Sequence, residues 1–70
     1  MTEQKVSEQD LKDKMYWLRK FRMAKNDKTL ERMVSRAIDE YHNMSTVAAA
    51  IYLAECQRER ELTLGRYLDS

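Results

Sequence analysis

Between Leu30 and Tyr41 the apolar side chains fall at i, i+3, i+4, i+7, i+8 and i+11: Leu30, Met33, Val34, Ala37, Ile38 and Tyr41. At about 100° per residue they make one continuous face, the pattern of a helix with one side against a core. The spacing predicts a helix over about 28–42. Such a helix is not stable alone, so the rest of the chain must supply surfaces that cover its apolar face.

Two other segments can do so. Leu11, Met15, Leu18 and Phe21 recur at helical spacing, with Trp17 at the margin, which places a helix over about 8–24. Ser7 is its candidate N-cap, and Asp10 sets a carboxylate near the open amides of the first turn. Lys25-Asn26-Asp27 then breaks the pattern, and either Asn26 or Asp27 can cap the second helix. Asn43 fits a left-handed helix terminator, and Ser45 fits the cap of a third helix over about 46–64 that stops at Gly65. Residues 1–6 and 66–70 read as short tails. With no proline and one glycine in 70 residues, the chain reads as a single all-α domain of three helices. A chain this short has a core too small for a deep cleft and gains from a partner's surface.

The third helix has two halves. Val47 to Ala54 is apolar almost all round and is expected to lie enclosed between the other helices, whereas Glu55 to Glu61 is nearly all polar. Arg58 projects to the same side as Val47, Ile51 and Ala54, with Glu55 and Glu61 three residues to either side. A guanidinium there needs carboxylates close by, because an unpaired buried charge costs several kcal/mol.

Catalytic and metal chemistry find no footing. His42 stands near a helix end without an orienting partner, Cys56 has no evident base, and one His and one Cys do not make a zinc-ligand pattern. A single glycine cannot supply a phosphate-binding loop. The reading is therefore non-enzymatic, with no catalytic residues, no metal and no cofactor. A lone cysteine forms no intramolecular disulfide, which fits a reducing cytoplasmic setting. No apolar run approaches the ~18–20 residues of a membrane span, and no leader pattern is present.

Charge is the remaining signal. Residues 14–28 hold Lys14, Arg19, Lys20, Arg22, Lys25 and Lys28 against Asp27 alone. Arg19 and Lys20 project away from the Leu11/Met15/Leu18 side, and Lys25 and Lys28 extend the positive region, so the set can face nucleic-acid phosphates without reading sequence. The same residues also suit an ordinary solvated face. Trp17, among these bases, reads as core rather than as a stacking platform. Opposed to them is the acidic set Glu31, Glu55, Glu59 and Glu61. Glu31 reads as a first-turn carboxylate complementing the helix dipole. Glu55 and Glu59 are like charges at i,i+4 that call for a cation, supplied by Arg58, by Arg60 or by a basic partner.

Three segments carry a family resemblance. Trp17-Leu18-Arg19-Lys20-Phe21-Arg22 looks like a Tyr-Leu-x-Arg/Lys-Leu/Phe-Arg motif, Thr29 to Arg32 matches a Thr-Leu-Glu-Arg segment, and Ala54-x-x-x-Arg58-x-x-Glu61-Leu62-Thr63 follows the pattern Ala-Ala-Asp-His-Arg-x-Ala-Glu-Leu-Thr. In this order they resemble the Hha/YmoA family of bacterial gene-expression modulators, over about residues 16–69. The resemblance implies a small helical cytoplasmic protein that binds the N-terminal dimerisation region of an H-NS-like nucleoid protein and strengthens its silencing of DNA. Cys56-Gln57 stands where the family has Asp-His, so Glu31 carries over as the matched acid and Glu55 or Glu59 takes the place of the missing one.

The expectation is thus a nucleoid-associated modulator of transcription that contacts its partner through Glu31, Glu55, Arg58 and Glu59. It turns Arg19, Lys20, Lys25 and Lys28 toward DNA, which it meets indirectly or weakly. A protein that binds nucleic acid directly through the first helix is the alternative, and a phage or plasmid inhibitor of a host protein is another. Met23 and Met44, read as exposed, would serve a homodimer as well as a heteromer.

Overall fold

The computed structural model describes residues 8–68. Four helices follow one another: α1 Glu8–Leu11, α2 Lys14–Phe21, α3 Asp27–Tyr41 and α4 Ser45–Leu64. The fold is all-α, as composition implies, but the expected first helix is two helices. Lys12 and Asp13 leave the helical path, and the Asp13 carboxylate caps α2 by accepting the Met15 amide at 3.0 Å. The stripe of Leu11, Met15 and Leu18 runs across this break and gives no sign of it. The end of α1 frees the Leu11 carbonyl, which accepts the Trp17 Nε1–H at 2.8 Å. That bond satisfies the indole and allows the ring to be buried. Ser7 and residues 1–6 lie outside the described residues.

Asn26 is the cap of α3, its side chain accepting the Thr29 amide at 2.8 Å. Two expected end signals are not used. Asn43 is not left-handed, since no described residue except glycine has a positive φ, and α3 closes on a right-handed His42. Ser45 is the first residue of α4, not its cap; Met44 holds that position with no side-chain bond. Gly65 does stop α4, with φ 74° and its amide on the Glu61 carbonyl at 2.8 Å. A residue with a Cβ is disfavoured in that left-handed backbone.

α4 is the hub, with α2 and α3 both packed on one side of it. Leu18, Phe21 and Ala24 meet Leu30, Val34 and Ala37 of α3 and Val47, Ala50, Ile51 and Ala54 of α4 in one core. Trp17 joins α2 to the end of α3, its ring 5.8 Å from Tyr41 and 5.9 Å from Phe21. Met33, Ile38 and Tyr41 sit half-buried at the margins, and Met44 also packs on the core, leaving Met23 as the exposed methionine of the pair. The first half of α4 is not enclosed. Val47, Ala50, Ile51 and Ala54 face inward, while Ala49, Tyr52 and Leu53 face solvent.

The inward stripe of α4 continues through residues that are not apolar. Gln57, Arg58 and Glu61 follow Val47, Ala50, Ile51 and Ala54 at helical spacing and are buried with them. Residues 66–68 are not a free tail either. The Leu68 amide donates to Glu61 at 2.8 Å, its carbonyl accepts from Gln57 and Arg22, and the Tyr67 ring lies 4.3 Å from the Arg22 guanidinium. The segment after Gly65 folds back as a strap over the charged end of the core.

Candidate functional site

Glu31 and Glu55 approach each other across a groove between α3 and α4. The groove holds about 340 Å³ and is lined by Glu31, Val34, Ser35, Ile38, Asp39, Tyr52 and Glu55. Val34 and Ile38 border the inward face of α3, and Tyr52 forms the opposite wall. Glu59 stands one turn beyond Glu55 on α4, exposed. Burial pushes the Glu55 carboxyl above its ordinary 4.5, and the charges of Glu59 and then Glu31 push it further the same way. Two neighbouring carboxylates, one on each helix, therefore disfavour the charged form of Glu55. None of the three makes an ion pair among the described residues.

The cations on α4 that were candidates to relieve this repulsion do not do so. Arg58, expected at the partner surface, is 4% exposed and is held inside. One of its nitrogens donates to Glu61 Oε1 at 3.1 Å and another to the Ala24 carbonyl at 2.9 Å. Glu61 also accepts from Arg22, through Nε at 3.1 Å and Nη2 at 2.5 Å. Burial alone pushes the Glu61 carboxyl up, but the hydrogen bonds from Arg22, the Leu68 amide and Arg58, together with the Arg22 charge, prevail and hold it at about 2. Arg58 therefore leaves the surface set. It is paired with Glu61 rather than with Glu55, and Arg60 is exposed without an ion pair among the described residues.

Glu31 lies in the second turn of α3, because the helix starts at Asp27 and that residue supplies the first-turn carboxylate. The dipole account of Glu31 weakens accordingly, since the effect fades beyond the first turn. Asp39 and Tyr52 complete the groove and were not singled out from sequence. Tyr52 had a signal, one turn before Glu55 on the outward side of the helix.

The basic residues border different hollows of the surface. Arg19 and Lys20 are exposed on α2, with the Lys20 ammonium 5.3 Å from the Tyr16 ring and 5.6 Å from the Trp17 ring. Lys20 borders a second groove, of about 580 Å³, that also takes Met33 and Arg36 from α3 and Met23 from the turn. Lys25 faces a cleft with Arg58, Arg66 and Tyr67, and Lys28 sits beside Glu31 and Arg32. Arg36 is the cation that sequence missed, brought to Lys20 by the packing of two helices.

Other chemistry gathers less support. The exposed His42 shares a 3.1 Å hydrogen bond between Nδ1 and the Asp39 carbonyl, and Cys56 is a free, exposed thiol. No three His, Cys, Asp or Glu among the described residues come together as metal ligands, and no described helix is long and apolar enough to cross a membrane. Comparison of the chain with protein-family models, with curated proteins and with solved structures finds no match. The resemblance to the Hha/YmoA family rests on its three motifs. Within them, Leu18, Phe21 and Leu30 are core, and Arg22, Arg58 and Glu61 form the buried ion cluster.

Proposed function

We propose that this chain is a non-enzymatic protein-binding module that modulates bacterial transcription by docking on an H-NS-like nucleoid protein in the cytoplasm. A basic segment of the partner's N-terminal dimerisation region lies in the α3–α4 groove, with its cations against Glu31, Glu55 and Glu59 and its apolar side chains against Ile38 and Tyr52. Arg19 and Lys20 then add positive surface to the assembly near DNA. The observation that carries this reading is the uncompensated acidic groove: Arg58 is committed to Glu61, so the cation that Glu55 and Glu59 need comes from outside the chain. Opposite charge on a partner gives specificity and a fast approach.

Direct binding of nucleic acid through α2 has less behind it, because Lys20, Lys25 and Lys28 border three separate surface regions.

Titration calorimetry with the dimerisation domain of an H-NS-type protein tests the proposal. Glu31→Lys combined with Glu55→Lys should abolish binding, while Arg19→Glu combined with Lys20→Glu should preserve it. The second pair should instead weaken retention of the assembled complex on DNA, most clearly at low salt. Loss of the partner by the α2 variant, with normal binding by the groove variant, overturns the assignment of the two surfaces.

A further inference from the structure

The charged end of the core holds more cations than its carboxylate serves. A cavity of about 220 Å³ opens there, lined by Lys25, Arg58, Arg66 and Tyr67 together with Glu61, the one carboxylate among its lining residues. Glu61 is already committed to Arg58 and to Arg22. Arg58 is 4% exposed, and its Nε–H has no acceptor among the described residues. A buried donor left unmatched is costly, and a ligand acceptor is one way to match it. Lys25 and Arg66 are exposed and make no ion pair among the described residues.

The backbone fixes these cations around the cavity. Lys25 follows Ala24, whose carbonyl is held by Arg58 at 2.9 Å. Arg66 lies between two anchors: its own amide donates to the Glu61 carbonyl at 3.2 Å, and the Leu68 amide donates to the Glu61 side chain at 2.8 Å. The Tyr67 ring adds a wall, 5.8 Å from the Arg58 guanidinium. α4 ends here, and its dipole brings about half a negative charge. Lys25, Arg58 and Arg66 outweigh that charge and Glu61 together, so the cavity is positive.

We propose that this cavity binds a dianionic phosphate group, free or as a monoester, with Lys25 and Arg66 closing on its oxygens and Arg58 behind them supplying charge and an unused donor. The volume is below the ~300–1,000 Å³ of pockets for drug-sized ligands, so the group that enters is small. The direction of the donors selects phosphate over carboxylate. Cations reach the cavity from the turn after α2, from α4 and from the strap, and a tetrahedral anion offers an oxygen toward each, whereas a carboxylate offers two oxygens in one plane. Charge selects a monoester over the diester of a nucleic-acid backbone, which carries a single negative charge per phosphate. Exposed ion pairs are weak, and two of the three cations are exposed, so the affinity falls in about the millimolar class. The site stands apart from the acidic groove and does not depend on what binds there.

Titration of the full-length chain with inorganic phosphate tests this, at constant ionic strength and at about pH 7.5, above the second phosphate pKa of ~6. The Arg58 Nε–H resonance in a proton–nitrogen correlation spectrum should shift along a saturable curve. The melting midpoint should rise over the same concentrations, because a ligand of the folded state alone stabilises it. Lys25→Ala and Arg66→Ala, both at exposed positions, should keep the helical circular-dichroism spectrum and each weaken binding about fivefold, the fold-change of one exposed ion pair. Together they should abolish it. Arg60→Ala, beside a different hollow of α4, should titrate as the wild type does. Methyl phosphate should compete with inorganic phosphate, and dimethyl phosphate should not.

An Arg58 resonance that does not move overturns the proposal, even where the midpoint rises, since phosphate also stabilises proteins by exclusion from their surfaces. A response that acetate reproduces at equal ionic strength, or an equal loss in Arg60→Ala, reduces the effect to general screening and overturns it as well. Binding of dimethyl phosphate as tight as that of methyl phosphate overturns the choice of a monoester.

Discussion

Arg58 and Glu61 stand one turn apart on α4 and meet inside the protein at 3.1 Å, with Arg22 holding the same carboxylate from the end of α2. The pair ties three parts of the chain together, since Arg58 also caps the Ala24 carbonyl and Glu61 also receives the Leu68 amide. Arg58→Ala removes donors from two buried acceptors at once. It should cost about 3 kcal/mol, the range for breaking one partner of a buried pair. In a domain of this size each kcal/mol moves the midpoint by about 4–8 °C. Thermal melting by circular dichroism reads the change, and an unaltered midpoint would mean that Arg58 does not hold the fold.

The same cluster sets an acid limit. Glu61 is held at about 2, well below its ordinary 4.5. Its stabilising contribution is therefore complete above about 4.5 and is lost as pH falls from there toward 2. Urea midpoints measured between pH 6 and pH 2 should drop across that window in the wild type. Glu61→Gln should start lower at pH 6 and lose less over the same range, and parallel curves for the two proteins would contradict the assignment.

Leu30 and Ile38 belong to the same apolar face in sequence and differ in the structure. Leu30 is 1% exposed, whereas Ile38 is half-buried on the wall of the acidic groove. Leu30→Ala should cost about 3 kcal/mol. Ile38→Ala should cost about 1 kcal/mol, because less area leaves water at that site. Equal losses in melting experiments would place Ile38 in the core and remove the apolar wall from the groove.

These contrasts mark what could be read in advance. The face of α3, the Asn26 cap and the Gly65 stop were legible because each depends on local spacing or on one residue's backbone preference. The break at Lys12 and Asp13 was not, since the Leu11/Met15/Leu18 stripe keeps its period while the backbone does not. Glu61 projects toward the buried side of α4, but its partner Arg22 is 39 residues away, and no local rule links them. Arg58 was expected beside both Glu55 and Glu61, and only the pairing with Glu61 forms, since Glu61 gained a second arginine from α2 and became the better anion. Of the acidic set, Glu55 and Glu59 share a helix by their spacing, whereas the groove that sets Glu31 across from Glu55 comes from the crossing of α3 on α4, which only packing decides.

Glu55 separates stability from binding. Burial, Glu59 and Glu31 raise its carboxyl above 4.5, so its charged form is disfavoured by the fold. A carboxyl raised in this way subtracts stability as pH climbs through its shifted value, and subtracts nothing below its ordinary one. Glu55→Gln should therefore raise the melting midpoint slightly at pH 7, by a few tenths of a kcal/mol, about the size of a relieved i,i+4 repulsion. The gain should shrink as pH falls toward 4.5, because the raised carboxyl of the folded chain takes up its proton above that pH. Association with a basic partner should move the other way: weaker in Glu55→Gln at pH 7, and in the wild type strengthening as pH rises and Glu55 ionises, because a cation in the groove favours the carboxylate. Melting curves and calorimetric titrations on the same two proteins at pH 4.5 and pH 7 measure both arms. A variant that melts lower at pH 7 would show that the repulsion is compensated within the chain. One that binds as tightly as the wild type would show that the partner's cation does not rest on Glu55.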